Sequence, residues 1–338
     1  MSANVLYAIA LVLGASIINA VYVLPMRANR KWAWENSWFA FSILGEAVVP
    51  TLMAIFTVPG LWTVYAATPG VTLMKMALFG LLWGINMVLF GLAIPIVGLA
   101  ITFAVSLGTS AACGSLLPLL MADPGRLFTS LGALIVLGLA VIIAGVALCG
   151  VAGRLRERLE GKDQPQRSSR FYKGFIYTLC SGVLGSMLNL GLASGKEIQR
   201  LAFQQGASEA AMSNAVWLPC LYAGFLPGVV YCLYLMKKNG TTGTLIHASR
   251  WYYWCMAALM GIFWYGSVMI YSLATVKLGE FGPVIGWPLF MSCVVIVSMI
   301  NGLITGEWSR TGARPIRIMT AGIFCLVLAI AILSYATR

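Results

Sequence analysis

Ala77-Leu78-Phe79-Gly80-Leu81-Leu82-Trp83-Gly84 opens an apolar stretch that runs through Asn86, Phe90 and Gly91-Leu92-Ala93 to Gly98. Moved by 181 positions without a gap, it falls on 258–279. Ala77, Leu78, Gly80, Trp83, Leu92, Ala93 and Gly98 then meet Ala258, Leu259, Gly261, Trp264, Leu273, Ala274 and Gly279. Seven identities in 22 positions are modest for apolar segments, but paired Trp and Gly positions raise the match above background. The chain reads as two related halves, and such internal repeats are a hallmark of membrane carriers.

The composition around the repeat agrees. The 338 residues are 60% hydrophobic and 9% charged, with a mean hydropathy of +0.89. Soluble domains carry about 25% charged residues, so this chain could not cover a water-soluble core. Thirty-six glycines suit close helix packing in lipid. The net charge of +12 does not point to nucleic acid, because the basic residues fall between apolar runs. The eight cysteines are isolated and lack metal-ligand spacing, which marks them as small buried hydrophobes; no metal site is expected. The first apolar run has no preceding Lys or Arg and no small-residue cleavage site, so it reads as a span rather than a cleaved signal.

Ten runs are long enough to cross a bilayer, which takes about 20 apolar residues. They lie at about 5–26, 37–58, 71–94, 99–121, 128–150, 173–194, 211–236, 251–276, 281–304 and 316–336. The basic, proline-containing segment 154–172 divides them into five and five, giving repeats at 1–153 and 173–338. Placing the 27–36 loop in the cytoplasm puts 16 Lys and Arg on that side and 6 on the other. The positive-inside rule then sets the linker inside and both termini outside. Five spans per half make the second half enter the membrane from the opposite side. The expected fold is therefore an all-α polytopic membrane protein, ten transmembrane helices in a 5+5 inverted repeat. A second pairing supports it: Ser16 and Asn19 in the first span match Ser186 and Asn189 in the sixth.

Lys31-Trp32-Ala33-Trp34-Glu35 after the first span, the Leu78–Gly84 motif, and Glu307-Trp308 with Gly312, Arg314 and Pro315 before the last span carry a resemblance. Together with length and linker position, they are similar to the L-rhamnose–proton symporter family within the drug/metabolite transporter superfamily. The resemblance implies a bacterial inner-membrane protein that takes up a deoxy sugar with protons. Two places depart from it: Glu46, where the family carries an aromatic residue, and the Gly279-Glu280-Phe281-Gly282-Pro283 turn.

Glu46 is the one acidic residue deep inside a span. A carboxylate at the bilayer centre costs about 2.5–3.5 kcal/mol, and that cost falls on the charged form, as a proton carrier requires. The alternative is a neutral Glu hydrogen-bonded into packing. Trp83, Asn86 and Phe90 share a helical face, and Trp264, Ser267 and Tyr271 repeat the stripe. Sugars need an aromatic platform and amide or hydroxyl partners, so these six are candidate contacts, with packing or interfacial anchoring as the alternative reading. Asn19, Asn189, Tyr265 and Trp287 join them, with Tyr222 a further platform candidate, the asparagines serving equally well as interhelical ties. Gly286-Trp287-Pro288 is expected to kink or break the ninth span. Lys277 and Glu280 read as a surface pair or an outer gate, and His247 as solvated. Phosphate-binding, zinc-protease, kinase and nucleophile-elbow motifs are all missing. The expectation is thus a sugar importer with no cofactor, driven by a proton gradient with sodium as the alternative ion, working in the lipid bilayer as a monomer or weak dimer. An exporter of amphiphiles or amino acids, a membrane enzyme or sensor, and a channel are the competing classes. The last two lack a catalytic cluster and a charged pore ring.

Overall fold

A computed structural model describes residues 3–161, 168–247, 250–309 and 311–336. Lys162, Arg167, Arg310 and Arg338, which entered the charge count, lie outside the described residues. Ten helices are long and apolar enough to span a membrane: α1 (Asn4–Ala28), α2 (Trp34–Thr57), α3 (Gly70–Val97), α4 (Leu99–Ala122), α5 (Ser130–Leu159), α6 (Arg170–Ser194), α7 (Asn214–Asn239), α8 (Trp251–Lys277), α9 (Gly279–Ile304) and α10 (Ala313–Tyr335). No strand occurs among the described residues. Lipid offers no hydrogen bonds, so helices that satisfy their own backbone are the natural solution for these apolar runs. Large apolar side chains such as Phe56, Val230 and Phe324 stand exposed on the outside of the bundle, where lipid would cover them.

Two expectations need correcting. α5 continues to Leu159, through Arg154, Arg156 and Arg158, so the first part of the expected linker is helix. α9 is continuous through Trp287 and Pro288, so of the kink or break expected there the break does not occur. The Ser292 hydroxyl donates to the Pro288 carbonyl at 2.7 Å, one turn beyond the missing proline N–H.

Helix ends follow local chemistry. α3 and α4 are joined by Gly98 alone, whose φ of +87° is open to glycine at little cost. Glu157, from the end of α5, accepts a hydrogen bond from the Ala100 N–H at 3.0 Å and so complements the positive end of α4. Short helices at Leu61–Ala67 and Lys196–Gln204 lie on one face of the bundle, and Thr242–His247, with exposed His247 at its end, lies on the other.

α3 packs on α6 and α7, and α8 packs on α1 and α2. α4 touches α5, α6 and α9; α9 touches α1, α4 and α10; α5 lies along α10, and α2 against α7. On one face, Glu307 between α9 and α10 accepts Arg156 at 3.0 Å and Arg27 at 3.4 Å. On the opposite face, Arg126 between α4 and α5 meets Asp123 at 3.1 Å and Glu280 at 3.5 Å. Loops joined in this way fall on the sides that ten alternating spans require.

Candidate functional site

The repeated stretch meets itself at the centre of the bundle. Gly80 of α3 is pressed against α7 so closely that an added Cβ would lie 1.7 Å from the Cys220 carbonyl oxygen. Its repeat partner, Gly261 of α8, is pressed against α2 in the same way, with a Cβ 2.5 Å from the Gly45 Cα. Only a residue without a side chain allows either approach, which is why both copies carry glycine. One turn on, Trp83 and Trp264 stack on each other, ring centroids 5.5 Å apart and planes 23° from parallel. Both are 5% exposed. A further turn on, Asn86 accepts from the Ser181 hydroxyl of α6 at 2.6 Å, while Ser267 accepts from the Asn19 amide of α1 at 2.9 Å. Matched positions on α3 and α8 therefore bond the first helix of the opposite half. Phe90 lies further along, edge-on to Phe103 at 4.9 Å.

Glu46 is 2% exposed and joins this centre through the crossing of α2 and α8, since it follows Gly45 directly. Residues Ser42–Val48 form a widened π turn, in which the Val49 N–H reaches back to the Leu44 carbonyl. Pro50 has no N–H for the Glu46 carbonyl one turn earlier, so a regular α ladder cannot close here. Such π turns are concentrated at functional positions. Phe41, one turn before, lies edge-on to Trp264 at 6.1 Å. Tyr22 of α1 and Cys232 of α7 lie within electrostatic reach of the Glu46 carboxyl. Among the described residues none donates a hydrogen bond to that carboxyl.

Bond accounting divides the other candidates. The Asn189 amide donates to the Gly114 and Pro283 carbonyls at 2.8 and 2.9 Å and accepts from the Tyr271 hydroxyl at 2.6 Å. It pins α4, α6, α8 and α9 together, and both residues have their polar atoms engaged. The Trp287 indole N–H donates to the Ser110 carbonyl at 3.0 Å, and the Tyr265 hydroxyl to Asn214 at 2.9 Å. Tyr222, which is exposed, bonds Thr51 at 2.9 Å. In contrast, no described residue accepts from the indole N–H of Trp83 or Trp264, and the Asn86 amide nitrogen and Asn19 amide oxygen are likewise unengaged among the described residues. Lys277 and Glu280 do not pair with each other, contrary to the surface-pair expectation. Lys277 pairs with Glu209, and Glu280 with Arg126, because the turn at 279–281 points them toward different loops.

Sequence reasoning missed Ser181, Phe41, Ser42 and the burial of Glu35. Glu35 is 6% exposed and accepts from Asn239 at 3.0 Å and Thr241 at 2.8 Å. A polar residue between two tryptophans at a span boundary reads as interface, and only the return of α7 covers it. Trp34 is exposed and stacks on Trp38 at 5.2 Å.

Residues 1–337 match the sequence model of the L-rhamnose-proton symport protein (RhaT) family. The chain is 25% identical over 319 residues to an L-rhamnose-proton symporter of Cronobacter sakazakii, covering 92% of this chain and 91% of the relative. It is 24% identical to a symporter of the same name from Shigella sonnei, covering 92% of each. One from Escherichia coli is also 24% identical, over 319 residues and 92% of each.

Proposed function

The chain belongs to the L-rhamnose-proton symport protein family, and from that premise we propose that it imports L-rhamnose or a closely similar deoxy sugar together with protons, by alternating access across a bacterial inner membrane. The observation that carries this reading is the set of unengaged polar groups around one aromatic stack. The two indole N–H groups of the stacked Trp83 and Trp264, the amide nitrogen of Asn86 one turn along α3, the amide oxygen of Asn19, whose nitrogen bonds Ser267 one turn along α8, and the carboxyl of Glu46 at the α2–α8 crossing all lack a partner among the described residues. A sugar ring offers C–H faces to indoles and hydroxyls to amides, so its chemistry fits what these residues leave open.

Glu46 serves as the proton carrier. A buried carboxyl without a partner stays neutral far more readily than it stays charged. Protonation from outside readies the site, sugar enters beside Trp83 and Trp264, the halves rock, and both ligands leave inward. Asn189, Tyr271, Tyr265 and Trp287 hold the wall in place, since their polar atoms are already bound to protein. The inverted relation of the halves is supported by packing: exchanging them carries α3 on α6 and α7 into α8 on α1 and α2.

The test is purified protein in liposomes under an imposed pH gradient, with proton influx followed during addition of a panel of monosaccharides. The expected result is proton influx triggered by L-rhamnose or another 6-deoxy sugar and by few others. Sugar flux that follows a sodium gradient with no proton movement would overturn the coupling ion. Stabilisation by amphiphilic cations and by no sugar would overturn the substrate class.

A further inference from the structure

The seam between α2 and α7 holds a second buried carboxyl that the proposed cycle does not use. Glu35 and Glu46 both stand on α2 and are separated by roughly 16 Å of helix, at 1.5 Å per residue. α7 runs antiparallel beside them, so its numbers rise as those of α2 fall. Ser42 lies one turn from Glu46 toward Glu35, its hydroxyl 3.5 Å from where a Cβ on Gly228 would be. That hydroxyl is buried and has no hydrogen-bond partner among the described residues. A buried hydroxyl left unpaired costs about 1–3 kcal/mol, and native proteins keep such groups for a reason. One turn further along α7, Cys232 is buried and within electrostatic reach of both Glu46 and Glu35. Two more turns bring Asn239, which donates to Glu35.

We propose that Glu35 is the inward proton station of the carrier, receiving the proton that Glu46 releases along the α2–α7 seam and passing it to the cytoplasm. The inference rests on the reading of Glu46 as the proton carrier. The Glu46 O–H bond breaks, and its proton moves through the Ser42 hydroxyl and water admitted to the seam in the inward-facing state. The same number of protons then leaves Glu35 for bulk water, so Glu35 returns to its starting charge and Glu46 is left as a carboxylate until it is protonated again from outside. A hydroxyl can donate and accept at once, which suits Ser42 to this step. The groups facing Glu35 are the Asn239 amide, the Thr241 hydroxyl and the more distant Cys232 thiol, and its bonds to Asn239 and Thr241 fall on one oxygen, Oε1. The carboxyl also accepts from the Glu35 backbone N–H, and three donors leave one of its about four lone-pair sites open to a proton.

Glu35→Gln separates this role from a structural tie, because a glutamine carbonyl still accepts from Asn239 and Thr241 but carries no proton. Protein in liposomes is assayed for sugar-driven proton influx and for counterflow, the exchange of sugar between equal pools. Glu35→Gln is expected to slow net proton-coupled uptake by about tenfold, the low end of what a positioned proton-transfer group contributes, while counterflow stays near wild type. Glu35→Asp is expected to recover part of the loss. Wild-type proton influx in Glu35→Gln would overturn the proposal. Ser42→Ala is the second probe, scored by the same ratio of net uptake to counterflow, and decides the question if Glu35→Gln does not fold. A selective loss of net uptake supports the relay, and an unchanged ratio overturns it. Glu46→Gln, run alongside, keeps the two readings apart: its failure to uncouple transport would sink the carrier role, whereas uncoupling there with normal Glu35→Gln would sink only the station.

Discussion

Glu46 and Asn189 are both polar residues buried in spans, and their opposite surroundings are why the roles proposed for them differ. Asn189 has three partners on three other helices. Asn189→Ala leaves the Tyr271 hydroxyl without its acceptor, at a cost of about 1–3 kcal/mol. A lower thermal midpoint of the detergent-purified protein with little change in apparent affinity for sugar is expected. Glu46 has no such ties among the described residues, so Glu46→Gln is expected to retain the fold and counterflow but lose accumulation against a gradient; pH-dependent uptake at the wild-type level would refute its coupling role. Between these extremes stand the tryptophans. Trp83→Ala removes a stacked partner worth about 0.5–1.5 kcal/mol, so the apparent affinity for sugar should fall by roughly threefold to tenfold, measured by binding in detergent. The residue types and their shared faces were legible in the sequence. Which of them still had free donors was not, because that depends on what Ser110, Gly114 and Asn214 supply from helices far away in the chain.

At the scale of the helix, the ten spans were legible because the bilayer dictates length and hydropathy together. Two features were not. The π turn at Ser42–Val48 depends on Pro50 acting on its own N-terminal side, and a hydropathy pattern looks alike for α and π turns. The extension of α5 to Leu159 was hidden by its arginines, which resemble a loop until Glu307 and Glu160 are seen to receive Arg156. Helix contacts also give the repeated glycines a cause. Gly80→Ala would drive its Cβ into the Cys220 carbonyl, so α3 and α7 must separate, at a cost of about 3 kcal/mol, the upper end of overpacking. Gly14→Ala meets nothing within 4 Å and serves as the control. Thermal midpoints should fall for the first and hold or rise for the second. Equal midpoints would mean that the tight crossing is not what the glycine provides.

For the whole molecule, the proposed inverted repeat says where asymmetry must enter. The tight crossing of α2 at Gly45 on Gly261 corresponds to that of α7 at Cys220 on Gly80. The position equivalent to Glu46 is then Leu221, fully buried and apolar. One half brings the acid, while both bring the tryptophans. A carrier must also open on one face at a time, and here both faces are held by ion pairs. Arg126 binds Asp123 and Glu280 and covers the Phe281 ring at 4.7 Å. On the other face Glu307 binds Arg156 and Arg27, and Arg156 covers the Trp308 ring at 5.0 Å. These groups are partly exposed, so each pair contributes about 0–1 kcal/mol. Between two states close in energy, about 1 kcal/mol changes their ratio roughly fivefold, enough to bias access without locking it. Arg126→Gln should therefore favour opening on its own face, and Glu307→Gln should favour opening on the other. Ser194 lines a cavity of about 310 Å³ with Asp123, Arg126 and Glu280. In a background without the native cysteines, labelling of Ser194→Cys by an impermeant maleimide should rise up to about fivefold with Arg126→Gln and fall with Glu307→Gln. Labelling that moves in the same direction for both variants would mean that the two clusters do not oppose one another, and that access is governed by the tight α2–α8 and α3–α7 crossings instead.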